Sequence, residues 1–308
     1  MSIFLFSYIK NRDDIKQIFN SIFVSLVFLL LYLIISTPVE LWGTFAVGNE
    51  QGIHKNTIGL NLAIGSIFSF YYSNHSKHTF IYRVLSIIFF VFSLLAGSRK
   101  VLILIALVSI LYAFLTSKNE KLIKRIIGIG LLSIGAIVII YSNKLLYDML
   151  GARMINLFDK FLLGVDIGIE EDKSIWERQY YINSAIELWL INPITILIGN
   201  GIDGFRTYMG KIGYSHVAYS HCNYIELLCN HGIIGFILYY YNKIRYCITG
   251  FRIKNNNTIC DLLVVFMICG MVIEYSMVSY YSELFQIVFI MSFCAIAITK
   301  KSFNTNDV

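Results

Sequence analysis

Apolar residues in this chain are not scattered. They run in blocks close to the 20 or so residues an α-helix needs to cross the hydrocarbon core of a bilayer. Eight windows qualify, at roughly 17–36, 57–72, 80–97, 100–116, 124–142, 222–241, 259–275 and 282–299. The second and seventh fit a full span least well. The short alternating segments of a transmembrane β-barrel do not occur. The N-terminus does not read as a cleavable signal. Its first apolar stretch (3–9) is too short, and the next block ends in Ser36-Thr37-Pro38 without a small-residue cleavage pattern. The pattern predicts an all-α, polytopic membrane protein. About eight transmembrane helices would form a single integral membrane domain over 1–308, with one large external loop.

Composition narrows the class further. The chain is 57% hydrophobic and only 14% charged, where a soluble domain carries about 25% charged residues. A water-soluble globule is therefore excluded, and abundant apolar side chains exclude disorder. Two prolines in 308 residues leave little room for linkers. The net charge of +6 concerns topology and lipid head groups rather than nucleic acid. With both termini inside, the cytoplasmic segments hold Lys10, Arg12, Lys16, Lys77, Arg83, Lys118, Lys121, Lys124, Arg125, Lys243, Arg245, Arg252, Lys254, Lys300 and Lys301, against Lys55, Arg99 and Lys100 in the short outer connections. That bias places the segment 143–220 on the outer side.

The outer loop is the only part long enough to build structure away from the bilayer. Ser174-Ile175-Trp176-Glu177 fits a capping box, Ile182, Ala185 and Trp189 recur at helical spacing, and Asn192-Pro193 should stop the helix. An amphipathic helix along the outer surface is expected. Gly199-Asn200-Gly201 and Gly204 then form a tight turn back toward the membrane. Arg178 lies four residues before Ile182, on the same stripe. The six cysteines contain no C-x-x-C pair and read as small buried hydrophobes.

A few polar residues stand out of place. Gly97-Ser98-Arg99-Lys100 joins two spans with almost no loop, so both cations sit at the outer boundary. An interfacial anchor is the plainer account, yet anchors in this chain collect on the other side. Arginine stays charged and offers a planar fork suited to a diphosphate. Arg178 is the second candidate for that role, while Arg153 and Arg206 read as solvated or structural. Ser220-His221-Cys222-Asn223 stands where the loop re-enters the membrane, and a neutral imidazole there can accept a proton from an attacking hydroxyl. His216 and His231 are nearby alternatives. Glu226, one to two turns further on, would be an intramembrane carboxylate able to pair with Arg178 or orient His221. Glu274 is a weaker candidate. Nucleotide-binding P-loop, zinc-protease and serine-hydrolase motifs are absent from the sequence, as is any D-x-D in the loop.

Together these segments resemble a known family. Gly43-Thr44-Phe45 with His54-Lys55-Asn56-Thr57-Ile58-Gly59 is similar to the G-x-F…H-K-N-x-x-G stretch of bacterial polysaccharide polymerases. Gly97-Ser98-Arg99-Lys100 looks like their G-S-R hairpin. Arg178, Asn192-Pro193 and Gly199-Asn200-Gly201 resemble part of their outer loop, and Ser220 through Gly235 resembles the S-H-N-x-x-L…G-I-x-G signature. The whole is similar to the O-antigen polymerase/ligase superfamily (Wzy and WaaL types) over roughly 43–240. The resemblance implies metal-independent, inverting glycosyl transfer without a cofactor, at the outer face of the bacterial cytoplasmic membrane. The donor would be an oligosaccharide on undecaprenyl diphosphate, bound by Arg99 and Arg178 with Lys100 and Arg206 beside them. His221 would be the catalytic base, with Glu226 in support. Membrane lipids, a chain-length regulator and a flippase are the implied partners. The product would be a surface polysaccharide such as O-antigen, capsule or exopolysaccharide. Cys222 departs from the pattern, since asparagine often follows the histidine directly. Family members are usually longer, which points to N-terminal helices missing here. The competing expectations are a ligase acting on a lipid A-core acceptor, a lipid-linked-sugar transporter without chemistry, and a purely structural membrane component.

Overall fold

The computed structural model describes residues 7–38, 41, 55–96, 98–116, 119–144, 147–151, 155, 173–214, 219–253, 259–280 and 282–306. Every described element is helical. Each of the eight apolar windows overlaps a helix, five in one compact unit (Asn11–Leu163) and three in another (Met1–Lys10 with Gly164–Val308). Two helical stretches, Arg12–Ser36 and Glu283–Lys301, are long and apolar enough to cross a bilayer by themselves. Thr79–Leu95, Lys100–Thr116 and Ile259–Ile273 are shorter apolar helices.

In the first unit, Asn11 and Asp14 close a capping box that starts α1 (Arg12–Ser36). Its buried seam of Ile15, Phe19, Phe23, Leu26, Leu30 and Leu33 packs on α2 (Lys55–His75), with Phe19 stacked on Phe68 at 4.0 Å. The low hydropathy of the second window has a physical cause. The α2 helix is buried and turns small residues toward α3 (Thr79–Leu95). A Cβ at Gly65 would come within 2.5 Å of the Phe89 ring. Ser66 and Ser86 each donate their hydroxyl to the other's carbonyl at 2.9 Å. Small residues that let backbones approach, with hydroxyls crossing between helices, are the packing chemistry of helices in lipid. Gly59 gives room in the same way to the corner between α3 and α4 (Arg99–Thr116), where Ser98 and Val101 lie 3.2 and 3.0 Å from where a side chain would begin. The last helix of the unit, α5, runs over Asn119–Ser142, and a π-helical turn follows at Tyr147–Gly151.

Outward faces complete the inversion. Val24, Phe28, Leu31 and Ile35 on α1, and Ile81, Ile87 and Val91 on α3, are exposed large apolar residues. Faces this continuous are unstable against water and natural against hydrocarbon.

The second unit holds α6 (Lys173–Trp189), α7 (Pro193–Ile198), α8 (Gly204–Lys211), α9 (Asn223–Ile253), α10 (Ile259–Ile273) and α11 (Glu283–Asn306). Several expectations are corrected here. The α6 helix begins at Lys173, so Ser174 lies in its first turn rather than at its cap. Asn192-Pro193 does not end α6, which stops at Trp189, but starts α7. Asn192 exchanges capping-box bonds with Thr195, and Pro193 takes the first helical position. The loop also contains two helices, α7 and α8, that the apolar pattern does not reveal.

The main correction concerns the sixth window. The α9 helix is not one straight span, because at Gly232 the backbone turns left-handed (φ 65°, ψ −171°). Asn223 and Tyr240 are 17 residues apart, which a straight helix would place about 25 Å apart. Instead the Asn223 amide donates to the Tyr240 hydroxyl at 2.9 Å, and Tyr224 stacks on Tyr240 at 4.9 Å. The segment before Gly232 folds back against the segment after it. A Cβ at Gly232 would sit 2.3 Å from the Leu197 carbonyl oxygen, and one at Gly199 (φ 78°) 2.3 Å from the Asn230 carbonyl carbon. Two glycines thus let α7 and the break in α9 touch backbone to backbone. The break also removes the helical partners of the Cys229 and Asn230 carbonyls. The N–H groups of Asn200 and Gly201 take these over, both at 2.9 Å.

Lys243, grouped with the cytoplasmic cations on sequence grounds, is the second correction. It is buried beneath the fold-back, 2.6 Å from the Glu274 carboxylate. Tyr240 donates to the same carboxylate at 2.8 Å, as does Ser279, and the ammonium lies over the Phe289 ring at 3.6 Å. Asn223 closes the cluster by accepting the N–H groups of Ser279 (2.9 Å) and Tyr280 (3.2 Å).

Two outcomes follow for purified protein. Gly232→Ala should lower thermal stability much more than Gly201→Ala. The positive φ alone costs about 1–2 kcal/mol at either site, but only Gly232 has backbone in the way. Equal shifts in Tm would contradict the close crossing. Breaking one side of the buried pair, as in Lys243→Met, should cost about 3–5 kcal/mol, and the double variant Lys243→Met/Glu274→Met should be milder than either single change. A double variant worse than both would contradict the pairing.

Candidate functional site

The fold-back of α9 sets a corner at residues 219–231. Ser220 is buried, and its N–H donates to Glu226 at 2.6 Å. Its hydroxyl donates to the Cys222 carbonyl at 2.9 Å. Between them His221 adopts a left-handed backbone, φ 59°, with a half-buried side chain. Non-glycine residues rarely sit there, and those that do cluster at functional sites. Cys222, the residue that departs from the family pattern, is buried, and Asn223 begins the helix.

Glu226 has a different setting from the one expected. It lies before the break rather than deep in a straight span, and is 1% exposed. Besides Ser220, it accepts from the Asn230 amide at 3.2 Å. That amide also donates to the Tyr280 hydroxyl at 2.9 Å, while its oxygen accepts the Phe205 N–H at 2.9 Å at the start of α8. Asn230 therefore links Glu226, α8 and the segment before α11. Nothing in the sequence singles it out, because an asparagine in an apolar helix has no motif of its own.

From the other side α6 supplies Arg178 and, one turn on, Tyr181. Of the stripe expected on α6, Ala185 is fully buried with Leu188 beside it, against Phe205, Met209 and Cys229. Ile182 and Trp189 are half-buried. The His221 ring lies 4.2 Å from the Tyr219 ring and 5.8 Å from that of Tyr181, nearly parallel to the latter. Burial pushes the Tyr219 hydroxyl above the ordinary tyrosine range, with the Arg178 guanidinium opposing and the Glu226 carboxylate adding to it. Arg178, Glu226 and His221 all act on Tyr219. Tyr181 leads outward to Tyr180, Tyr214 and Trp176, an aromatic run that the sequence analysis does not pick out although the Trp176–Tyr180 spacing is helical.

The remaining candidates lie elsewhere. Arg206 follows Phe205 on the exposed side of α8. His231 meets the Tyr280 ring edge-on at 6.0 Å, next to the break. His216 and Arg153 lie outside the described residues, as do residues 42–54, which include Gly43-Thr44-Phe45 and His54 of the first family-like motif. In the other unit, Arg99 opens α4, and its side chain is also outside them. Lys100 is buried in the same first turn. Cations at a helix N-terminus stand at the positive end of its dipole, a placement that favours an anionic ligand. All six cysteines are free, five of them buried. Among the described residues no three His, Cys, Asp or Glu side chains converge as metal ligands would.

The described residues define a helical membrane protein in which a half-buried histidine and a buried carboxylate share one corner, tied through Asn230 to the start of α8. A family model described as O-antigen ligase matches residues 84–240, half of the chain, and the protein belongs to that family. Its activity is of the ligase/polymerase type, carried by glycosyltransferase-like membrane enzymes. The match takes in Arg99, Lys100, Arg178, Arg206, His221 and Glu226, and leaves out the motif at 43–59. No curated protein matches the chain at a significant level.

Removing the Glu226 carboxylate tests the corner. Glu226→Leu strands the Ser220 N–H and the Asn230 amide, each at about 1–3 kcal/mol. Glu226→Gln keeps an oxygen for Ser220 and should lose clearly less. Equal melting temperatures for the two variants in detergent would show that Glu226 does not hold the corner.

Proposed function

We propose that this protein polymerises undecaprenyl-diphosphate-linked oligosaccharide repeat units into a surface polysaccharide, by metal-independent inverting glycosyl transfer. The reaction takes place at the outer face of the bacterial cytoplasmic membrane, with the apolar helices as spans and, in the sixth, only the part of α9 after Gly232. The observation that carries the reading is His221 held in a left-handed turn, its ring 4.2 Å from that of Tyr219, between Ser220 bound to the buried Glu226 and the start of α9. His221 accepts the proton of the acceptor hydroxyl as that oxygen attacks the anomeric carbon of the donor sugar. The bond from that carbon to the diphosphate breaks on the opposite face, which inverts the centre. Undecaprenyl diphosphate leaves with the bonding electrons, and Arg178 holds its charge; Arg99, Lys100 and Arg206 are the further cations that the family resemblance implies for the diphosphate. Glu226 positions His221 through Ser220. A chain-length regulator and a flippase act beside it.

A ligase that moves the finished glycan to a lipid A-core-type acceptor is the second reading, favoured by the description of the matching family. One reconstitution separates the two. Protein in liposomes with only the lipid-linked repeat unit, in the presence of chelator, should yield a ladder of polymer. A ligase yields product only once the lipid A-core acceptor is added. Loss of product in chelator would overturn the metal-independent chemistry. Arg99→Ala, Arg178→Ala and His221→Ala should each reduce polymer formation by about 100-fold or more while the protein stays in the membrane. Normal ladders from all three would sink the assignment.

A further inference from the structure

The corner does not account for the aromatic rings that lead away from it. Trp176 and Tyr180 lie one turn apart on α6 with ring planes within 10° and centroids 5.6 Å apart. Tyr214 approaches Tyr180 at 5.4 Å and Tyr181 at 6.0 Å, and Tyr181 approaches His221 at 5.8 Å. Tyr181 in turn meets Phe205 edge-on, which ties the row to the buried core. Trp176 is 39% exposed and Tyr214 37%, so the far end of the row is open while the near end reaches the histidine.

What surrounds the row indicates what it takes. Glu177 and Arg178 lie within a turn of Trp176, and Gln179 donates to Asn183 at 2.9 Å on the exposed side of the same helix. Interfacial anchors place Trp and Tyr at the head-group level, and Ile212 near Tyr214 is exposed as well. Trp176 and Tyr180 are flanked by hydrogen-bonding side chains, Glu177, Arg178 and Gln179. The matching ligand has an apolar C–H face for the negative face of a ring and a rim of hydroxyls for the polar neighbours, which is the surface of a pyranose.

We propose that Trp176, Tyr180 and Tyr214 form a glycan-binding shelf that holds the acceptor saccharide and delivers its terminal hydroxyl to His221. This rests on the glycosyl-transfer reading for the identity of the acceptor, but the binding itself does not require catalysis. Successive sugars stack along the row, so a longer acceptor engages more rings and stays bound through more additions.

The test uses the full-length protein in detergent and in nanodiscs. The probe is the reducing oligosaccharide freed by mild acid from the producing cells' own lipid-linked repeat unit, which carries no diphosphate. Wild type and His221→Ala should bind it alike in calorimetric titration. Trp176→Ala and Tyr214→Ala should each weaken binding by about tenfold, the loss expected for one stacked ring, and Trp176→Phe should retain it. In the reconstituted reaction the two alanine variants should raise KM for acceptor and shorten the product while kcat is kept. Two results would overturn the shelf: no saccharide binding by correctly folded wild type, or quenching of Trp176 fluorescence by bromine-labelled lipid in nanodiscs, which would make the row a membrane anchor. Binding without any polymer from wild type would instead leave the shelf standing and defeat the polymerase reading.

Discussion

A helix that breaks inside an apolar protein leaves carbonyls that water cannot reach, and the second half of this chain is organised around one such break. At Gly232 the backbone reverses, and the carbonyls of Cys229 and Asn230 lose their helical donors. The Asn200 and Gly201 N–H groups replace them, and the Asn200 side chain adds a second bond to the Cys229 carbonyl. These contacts need the backbones to touch, which is why Gly199 and Gly232 meet there. Much else follows from it. The fold-back brings Asn223 to Tyr240, seats α7 on α9, and points the Asn230 side chain at both Glu226 and the first turn of α8.

The same low-polarity surroundings explain why the buried polar groups form closed sets. Lys243 carries a charge that would be costly alone. It finds Glu274, the Tyr239 hydroxyl and two ring faces, and Glu274 in turn collects Tyr240 and Ser279. A buried pair of this kind is weak evidence for stability in itself. Its value here is positional, since it fixes the segment after the break against the end of α10, where Asn223 also binds.

How much of this was legible in the sequence depends on the range of the forces involved. Burial in lipid acts residue by residue, so window averages located all eight apolar helices. Gly199-Asn200-Gly201 and Gly232 were recognised as family-like motifs, yet the reason for them, a backbone crossing between segments about 30 residues apart, cannot be read from either segment alone. Lys243 shows the limit most clearly. A count of cations assigns every lysine near a helix end to the inner surface, and only the fold-back of α9 shows that this one is enclosed. Asn192-Pro193 was misread for a local reason, because the same dipeptide that ends one helix is a good start for the next. Asn230, which joins Glu226, Tyr280 and the start of α8, gave no signal.

The corner itself sets a limit on the roles available to Glu226. His221 holds a backbone conformation that costs about 1–2 kcal/mol for an L-residue, and that strain persists only if the neighbours over-determine it. On one side stands the short bond from the Ser220 N–H to Glu226, and on the other the buried Cys222 and Asn223. The Ser220 bond and the packing of Cys222 and Asn223 act together against that strain. One Glu226 oxygen holds Ser220 and the other Asn230, so both are already engaged in the frame. A carboxylate that gave up either contact to move a substrate proton would loosen the turn that presents His221. The geometry therefore keeps Glu226 within the frame of the loop and leaves the imidazole half-exposed beside Tyr219 and Tyr181, the arrangement that the proposed base requires.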